Sequence, residues 1–282
     1  MTASALSDPE PAEGSKGARR AAAVFAALLS TACGAPLMKL PSGPGAPAPD
    51  AADALTQATL ACRAVSSITA EVALTGSING QRLRARLIAG LAAPASARLE
   101  AFAFSQQVFI FASRGNDATL LLPRDDRALE HGQPGEVLEA VTGLPLDASG
   151  LRLTLTGCAS PGADAAAGRQ IGGDWRVVSH QSGDLYLRRD SRAAPWRLVA
   201  AVHRDAGRPE WRAEYRDFEN GLPHTIRLAS TDTRRFDLRL GLSQVDINVP
   251  IEPVAFEVKI PAAARPMTIA ELRDSGPLSD AR

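Results

Sequence analysis

ITAEVALTGSINGQRLRARLI, residues 68–88, decides the fold. Two arms rich in β-forming residues flank Asn79-Gly80, a pair that readily takes the positive φ angles of a tight type I′ turn. In the second arm Leu83, Ala85 and Leu87 alternate with Arg82, Arg84 and Arg86. A period of two with one apolar phase describes a strand whose one face is buried and whose other face is wet. The arginines read most simply as that solvated face, with contact to anionic headgroups as the second reading.

The same period recurs along most of the chain. Strands are expected at Ala97–Phe102, Val108–Ser113, Ala118–Leu122, Ala128–His131, Trp175–Ser179 and Leu185–Arg189. They continue at Trp196–His203, Trp211–Phe218, His224–Ser230 and Arg234–Gln244, with a final strand carrying Phe256, Val258 and Ile260. Trp211, Ala213 and Tyr215 face in and Arg212, Glu214 and Arg216 face out; Phe236, Leu238, Leu240 and Leu242 oppose Arg235, Asp237 and Arg239 in the same way. Phe109, Ile110 and Phe111 are apolar in both phases, so their strand should be covered on both sides. Phe102 and Phe104 stand where a polar turn is expected, an aromatic tip that asks for an explanation. Trp175, Trp196 and Trp211 open strands with apolar phases and read as core, or else as cavity lining.

Helical spacing appears in three places. From Asp50 or Asp53 to Val65, Leu55, Thr59 and Cys62 share a face. Val137, Leu138, Val141 and Leu144 form a second run, broken by Gly143 and Pro145; a third follows Asp147 with Leu151, Leu155 and Cys158, although LRLTLT also alternates as a strand would. Thr268–Asp274 is a short terminal helix or turn. Apolar-faced helices within a meander need an apolar surface to cover, and the concave face of the sheet supplies it. The fold class is therefore mainly β (α+β): about eleven antiparallel strands in one large curved sheet or half-open β-barrel, helices covering the concave face. A β-sandwich is the alternative, but it fits the helical insert less well.

Upstream, Lys16, Arg19 and Arg20 precede AAAVFAALLSTAC, Ala21–Cys33, the parts of an export signal and too short to span a bilayer. Cys33 followed by Gly34 resembles a bacterial lipoprotein signal, in which the thiol is acylated; Ser30 stands where leucine is usual, with Leu29 one place back. An ordinary signal cleaved near Ala32 is the alternative. Residues 1–15 are a polar, acidic extension ahead of it. Pro36–Asp50, with five prolines and two glycines, should be an extended tether. With Cys33 acylated, Cys62 and Cys158 remain as a pair in an oxidising compartment. They form a disulfide or pack as two buried thiols.

Chemistry-bearing motifs are scarce. Lys plus Arg equals Asp plus Glu at 31 each, and aromatics make up 5%, which argues against nucleic acid as a partner. His131, His180, His203 and His224 lie in separate segments without metal-ligand spacing. His203-Arg204-Asp205 imitates a kinase loop, but Glu210 stands where an asparagine is required. His180-Gln181-Ser182-Gly183-Asp184 collects triad residue types in a turn that cannot aim them at one point. Most carboxylates fall in outward phases or turns. No catalytic residue, metal or cofactor is expected, and the chain reads as a non-enzyme.

These pieces together resemble the LolA/LolB-like lipoprotein carriers, most closely the LolB type of outer-membrane receptor that is itself a lipoprotein. The residues carrying the likeness are the signal ending at Cys33, the Leu99–Ser113 hairpin with its apolar tip, and Leu138–Leu155 with Thr142-Gly143-Leu144-Pro145-Leu146. The resemblance implies a half-barrel whose apolar concavity takes acyl chains of a lipoprotein or lipid, and a membrane-contact loop at Phe102 and Phe104. Cavity-lining candidates are then Leu87, Phe109, Phe111, Val137, Leu138, Val141, Leu151, Leu155, Trp175, Trp196, Trp211, Phe236 and Leu238. Implied partners are an acylated lipoprotein or lipid, the membrane through the lipid anchor, and a periplasmic carrier protein, with the chain as a monomer on the periplasmic face of the outer membrane. The tail beyond Val249 and the Cys62/Cys158 pair depart from that pattern. The expected division is 1–32 signal with extension, 33–50 acylated cysteine and tether, 51–261 half-barrel domain, and 262–282 tail. A non-catalytic assembly lipoprotein that holds an envelope protein partner is the competing function, and an anchored hydrolase a third.

Overall fold

A computed structural model describes residues 36–159, 168–204 and 206–276. The leader, Cys33 included, lies outside the described residues. In chain order the elements are β1 (Ala46–Pro47), α1 (Ala51–Arg63), β2 (Ser67–Ile78), β3 (Gln81–Ala92), β4 (Ser96–Ala103), β5 (Gln106–Arg114), β6 (Asp117–Leu122) and β7 (Arg127–Gly132). There follow α2 (Pro134–Thr142), α3 (Ala148–Thr156), β8 (Gly168–Ile171), β9 (Trp175–His180), β10 (Gly183–Arg188), β11 (Arg197–His203), β12 (Trp211–Glu219), β13 (Leu222–Ser230) and β14 (Phe236–Ile247). A 3₁₀ turn at Pro253–Phe256, β15 (Arg265–Pro266) and α4 (Ile269–Ser275) complete the chain.

All strands join one 15-stranded sheet in the order β1-β8-β9-β10-β11-β12-β13-β14-β2-β3-β4-β5-β6-β7-β15. Two meanders, β2–β7 and β8–β14, are thus welded by the antiparallel β14–β2 pair, in which Leu240 faces Leu74 and Phe236 faces Ile78. The outer strands β1 and β15 do not meet, so the sheet is curved and open, a half-barrel. Register shifts at Ala101/Phe102, Tyr186/Leu187 and Ser243/Asp246 bend it locally. The expected hairpin is present: Asn79 and Gly80 take φ 51 and 75, and β2 pairs with β3 from Ser67↔Ala92 to Ile78↔Gln81.

The concave face is covered in two places. Helix α1 lies over β8–β11, fastened where Arg176 donates two hydrogen bonds to the Asp50 carboxylate at 2.6 and 2.8 Å and where the Trp196 amide reaches the Gln57 side chain. Helices α2 and α3 cover β3, β4 and β6, and α3 also reaches across to β13. The alternating LRLTLT is helical because Asp147 caps it, accepting the Gly150 amide at 2.7 Å, and because Leu151 and Leu155 are buried on one face. Gly143 and Gly157, both left-handed at φ 70 and 64, end the two helices as glycine does at low cost. The Cys62–Cys158 disulfide links α1 to the residue after that second glycine.

Several expectations are corrected. Pro36–Asp50 does not stay a free tether: β1 pairs with β8, and Ala48 is buried. The strand expected at Phe256, Val258 and Ile260 is a 3₁₀ turn and an extended strap. It crosses the convex face of β4 and β5, where Arg98 donates to the carbonyls of Ala255 and Glu257. Alternation there reflects packing onto a face, not pairing in a ladder. That strap supplies the second cover for the strand carrying Phe109–Phe111, where outward-facing Ala112 is also buried. No structural break occurs at residue 261: β15 pairs in parallel with β7, and α4 packs on α2 through the fully buried Leu272. Two outward carboxylates are not solvated either. Glu214, 1% exposed, lies between Arg212 at 2.7 Å and Arg216 at 3.4 Å, and Asp184 is buried beneath Arg204.

Candidate functional site

Between α2, α3 and the concave face lies an apolar cavity of about 50 Å³. Leu74 and Ile78 of β2, Leu87 and Ala89 of β3, Leu99 of β4, and Leu238 and Leu240 of β14 form its floor. Leu138, Thr142, Leu144, Leu146, Leu151 and Leu155 form its roof. The only polar side chain in this wall is neutralised within its own helix: the Thr142 hydroxyl donates to the Leu138 carbonyl at 2.6 Å and accepts the Leu144 amide. A wall of leucines without an unpaired polar atom holds hydrocarbon and rejects water.

Of the expected lining residues, Leu87, Leu138, Leu151, Leu155 and Leu238 meet at this cavity. Phe109, Phe111, Val137, Val141 and Phe236 are buried in the surrounding core instead. The tryptophans lie elsewhere. Trp211 packs edge-on against Phe236 and stacks on His203 at 3.9 Å; Trp196 is held between Arg176 and Arg189; Trp175 is half-buried with Arg188 over its ring. Leu74, Ile78, Ala89, Leu99, Thr142, Leu144, Leu146 and Leu240 complete the wall and were not among the lining residues expected from the sequence. Their inward phase was legible, but which inward residues face a gap depends on where the helices sit.

The two phenylalanines separate. Phe102 is half-buried on the convex face under the Arg86 guanidinium, 5.0 Å from its ring centre. Phe104, 76% exposed, is in the two-residue turn with Ser105, at φ 48 and 65. Arg82, Arg84 and Arg86 are exposed on the convex face, as expected. Among the described residues no group of three acidic, histidine or cysteine side chains could hold a metal ion, and no helix is long and apolar enough to cross a membrane.

No family model matches the sequence, and no curated protein matches it. Among solved structures, similarity extends to a LolA superfamily protein from Nitrosomonas europaea, at 13% identity over 74% of this chain and 97% of that one, with a TM-score of 0.43. A DUF1329 family protein from Desulfovibrio piger is similar at 11% identity over 75% and 98%, TM-score 0.47. The lipoprotein LppX of Mycobacterium tuberculosis is similar at 14% over 72% and 98%, TM-score 0.32. At these TM-scores none of the three lends weight to a statement about ligands, which rests on the residues above.

Proposed function

We propose that this chain is a lipid-anchored envelope protein that takes acyl chains of a lipoprotein or lipid into the space between its half-barrel and the α2–α3 cover, for lipoprotein localisation or lipid transfer at the outer membrane. The observation that carries the reading is the leucine wall with no unpaired polar atom. At about 50 Å³ the cavity is far smaller than the roughly 300–1,000 Å³ of a formed ligand pocket, so the described state is closed. An acyl chain enters by displacing part of the cover. The disulfide holds the end of α3 to α1, which leaves α2 and the Gly143–Leu146 link as the part that yields. Non-directional leucine contacts can be exchanged for acyl contacts at little net cost, at about 25 cal/mol per Å² for either. Cys33 would anchor the chain, the Phe102–Phe104 turn would face the bilayer, and a periplasmic carrier protein would deliver the cargo.

Ala89→Leu fills the cavity without touching the cover's attachments. Native mass spectrometry with an N-palmitoylated peptide should show a one-to-one adduct for the parent and none for the variant; no adduct, or one that Ala89→Leu leaves unchanged, overturns the reading. Cys33→Ala should move the chain from the membrane to the soluble fraction, and retention in membranes after a high-salt wash would remove the anchor. The competing reading is an assembly lipoprotein that holds a protein partner by a strand edge or a surface patch, and its edge route is disfavoured by two-residue edge strands, which offer almost no ladder to extend.

A further inference from the structure

One corner of the sheet combines features that the cavity does not explain. Strand β3 outruns its neighbour: its pairing with β4 ends at Arg86↔Phe102, and that register brings the Phe104–Ser105 turn level with Arg84. Arg82, Arg84 and Arg86 therefore project from the convex face beside an exposed phenylalanine, spaced about 6.8 Å apart by the strand rise. Thr75–Arg86 and Ala101–Val108 contain no acidic residue. Arg86 is engaged with Glu71 at 3.1 Å and with the Phe102 ring, whereas Arg82 and Arg84 enter no ion pair among the described residues. In a chain whose charges balance overall, this is a local cationic ridge with an aromatic at its end.

Phe104 makes the corner more specific. A bulky residue at positive φ is an outlier in a position that Asn or Gly fills without strain, as Asn79-Gly80 does one hairpin away. Its side chain is 76% exposed, so no packing in the fold offsets that conformation. The same corner closes the cavity: Ile78, which lines it, precedes the Asn79-Gly80 turn, and Gly143 of the cover approaches the Ile78 side chain to within 3.3 Å of where a Cβ would stand.

The geometry points to Arg82, Arg84 and Phe104 as a docking surface for an anionic phospholipid bilayer, the guanidinium groups meeting headgroup phosphates and the phenyl ring entering the interface. Charge complementarity selects this occupant over a protein strand: the ridge is cationic, lies on a face and not on an edge, and ends in an aromatic suited to the interfacial zone. Docked so, the corner would set the Ile78–Leu144 end of the cavity against the membrane. That the Phe104 turn meets a bilayer, and this orienting role, rest on the function proposed above; the arginine ridge and its preference for anionic headgroups do not.

The test compares the unacylated full chain, Cys33→Ala, with the same chain also carrying Arg82→Gln and Arg84→Gln, neither of which touches the cavity wall. Sedimentation with vesicles of mixed phosphatidylethanolamine and phosphatidylglycerol should show binding that the double variant weakens about tenfold or more and that salt suppresses. Phosphatidylcholine vesicles should bind both chains equally weakly. Phe104→Ser should weaken both lipid arms, and Arg82→Lys with Arg84→Lys should restore the anionic preference. Equal binding to both vesicle types, or binding that the double Gln variant leaves unchanged, overturns the inference. Palmitoyl-peptide binding, measured on the same chains, reads the cavity separately: its absence with the vesicle preference intact would sink the acyl-binding function and leave the docking surface standing.

Discussion

Cys62 and Cys158 are joined by a disulfide with their Cα atoms 5.5 Å apart, binding α1, which covers β8–β11, to the end of α3, which lies over β3, β4 and β13. In the sheet the two meanders are joined by the β14–β2 pair, and the disulfide adds a covalent tie on the concave side.

Its removal should be costly. In the chain-entropy account a crosslink spanning 96 residues stabilises by about 4–5 kcal/mol before native-state strain is subtracted. Cys62→Ala with Cys158→Ala should lower the urea midpoint accordingly, and dithiothreitol should lower the parent's midpoint but not the variant's. Equal midpoints for parent and variant under oxidising conditions would show that the link does not constrain the unfolded chain.

Leu272 on α4 is fully buried against the cover helix α2, and α4 is itself tied down by the Thr268 capping box and by Arg127 reaching Glu271 at 2.8 Å. Leu272→Ala should cost about 2–5 kcal/mol. Because it loosens the helix that must yield, it should also speed the entry of a fluorescent fatty acid followed by stopped flow. An unchanged entry rate in a measurably destabilised variant would place the gate elsewhere.

Asp184 links stability to pH. Burial pushes its carboxyl up, but the Ser179 hydroxyl at 2.5 Å and the Arg204 guanidinium at 2.8 Å outweigh that and hold it below its ordinary 3.8. A carboxylate depressed in the folded state binds fewer protons there than when unfolded. Its contribution is therefore present above the ordinary value and is lost as pH falls through the depressed one. Asp184→Asn should cost about 1–3 kcal/mol at neutral pH, and the gap to the parent should narrow as pH falls below the ordinary 3.8 and through the depressed value. A gap that does not change with pH would remove the ionised form from the account.

Phe104→Asn should stabilise the fold by about 0.5–1 kcal/mol, since Asn tolerates the left-handed conformation that Phe104 holds at φ 48. Differential scanning calorimetry should show a raised midpoint. A lowered midpoint would mean that the exposed ring contributes to the fold, which would weaken its assignment to the membrane.

The alternation in residues 68–88, with Asn79-Gly80 at its centre, determined the hairpin, its register and its buried face, and the same period placed most of the other strands. Periodicity also placed α1 and α2, and offered α3 after Asp147 beside a strand reading of LRLTLT. These are local matters: turn chemistry, capping and phase are settled by residues within a few positions of one another. Only the tertiary structure decided the rest. The two meanders join into one open sheet through β14 and β2, which lie far apart in sequence. The strand-like pattern at Phe256 is a strap because a convex face, not a ladder, lay in its path. Glu214 is buried because arginines from its own strand fold over it. The cavity is a gap between elements, and no residue's phase alone says whether it faces a neighbour or a space: Leu87 lines it, while Phe109, equally apolar and inward, is buried in the surrounding core, and Trp211 packs elsewhere on Phe236 and His203.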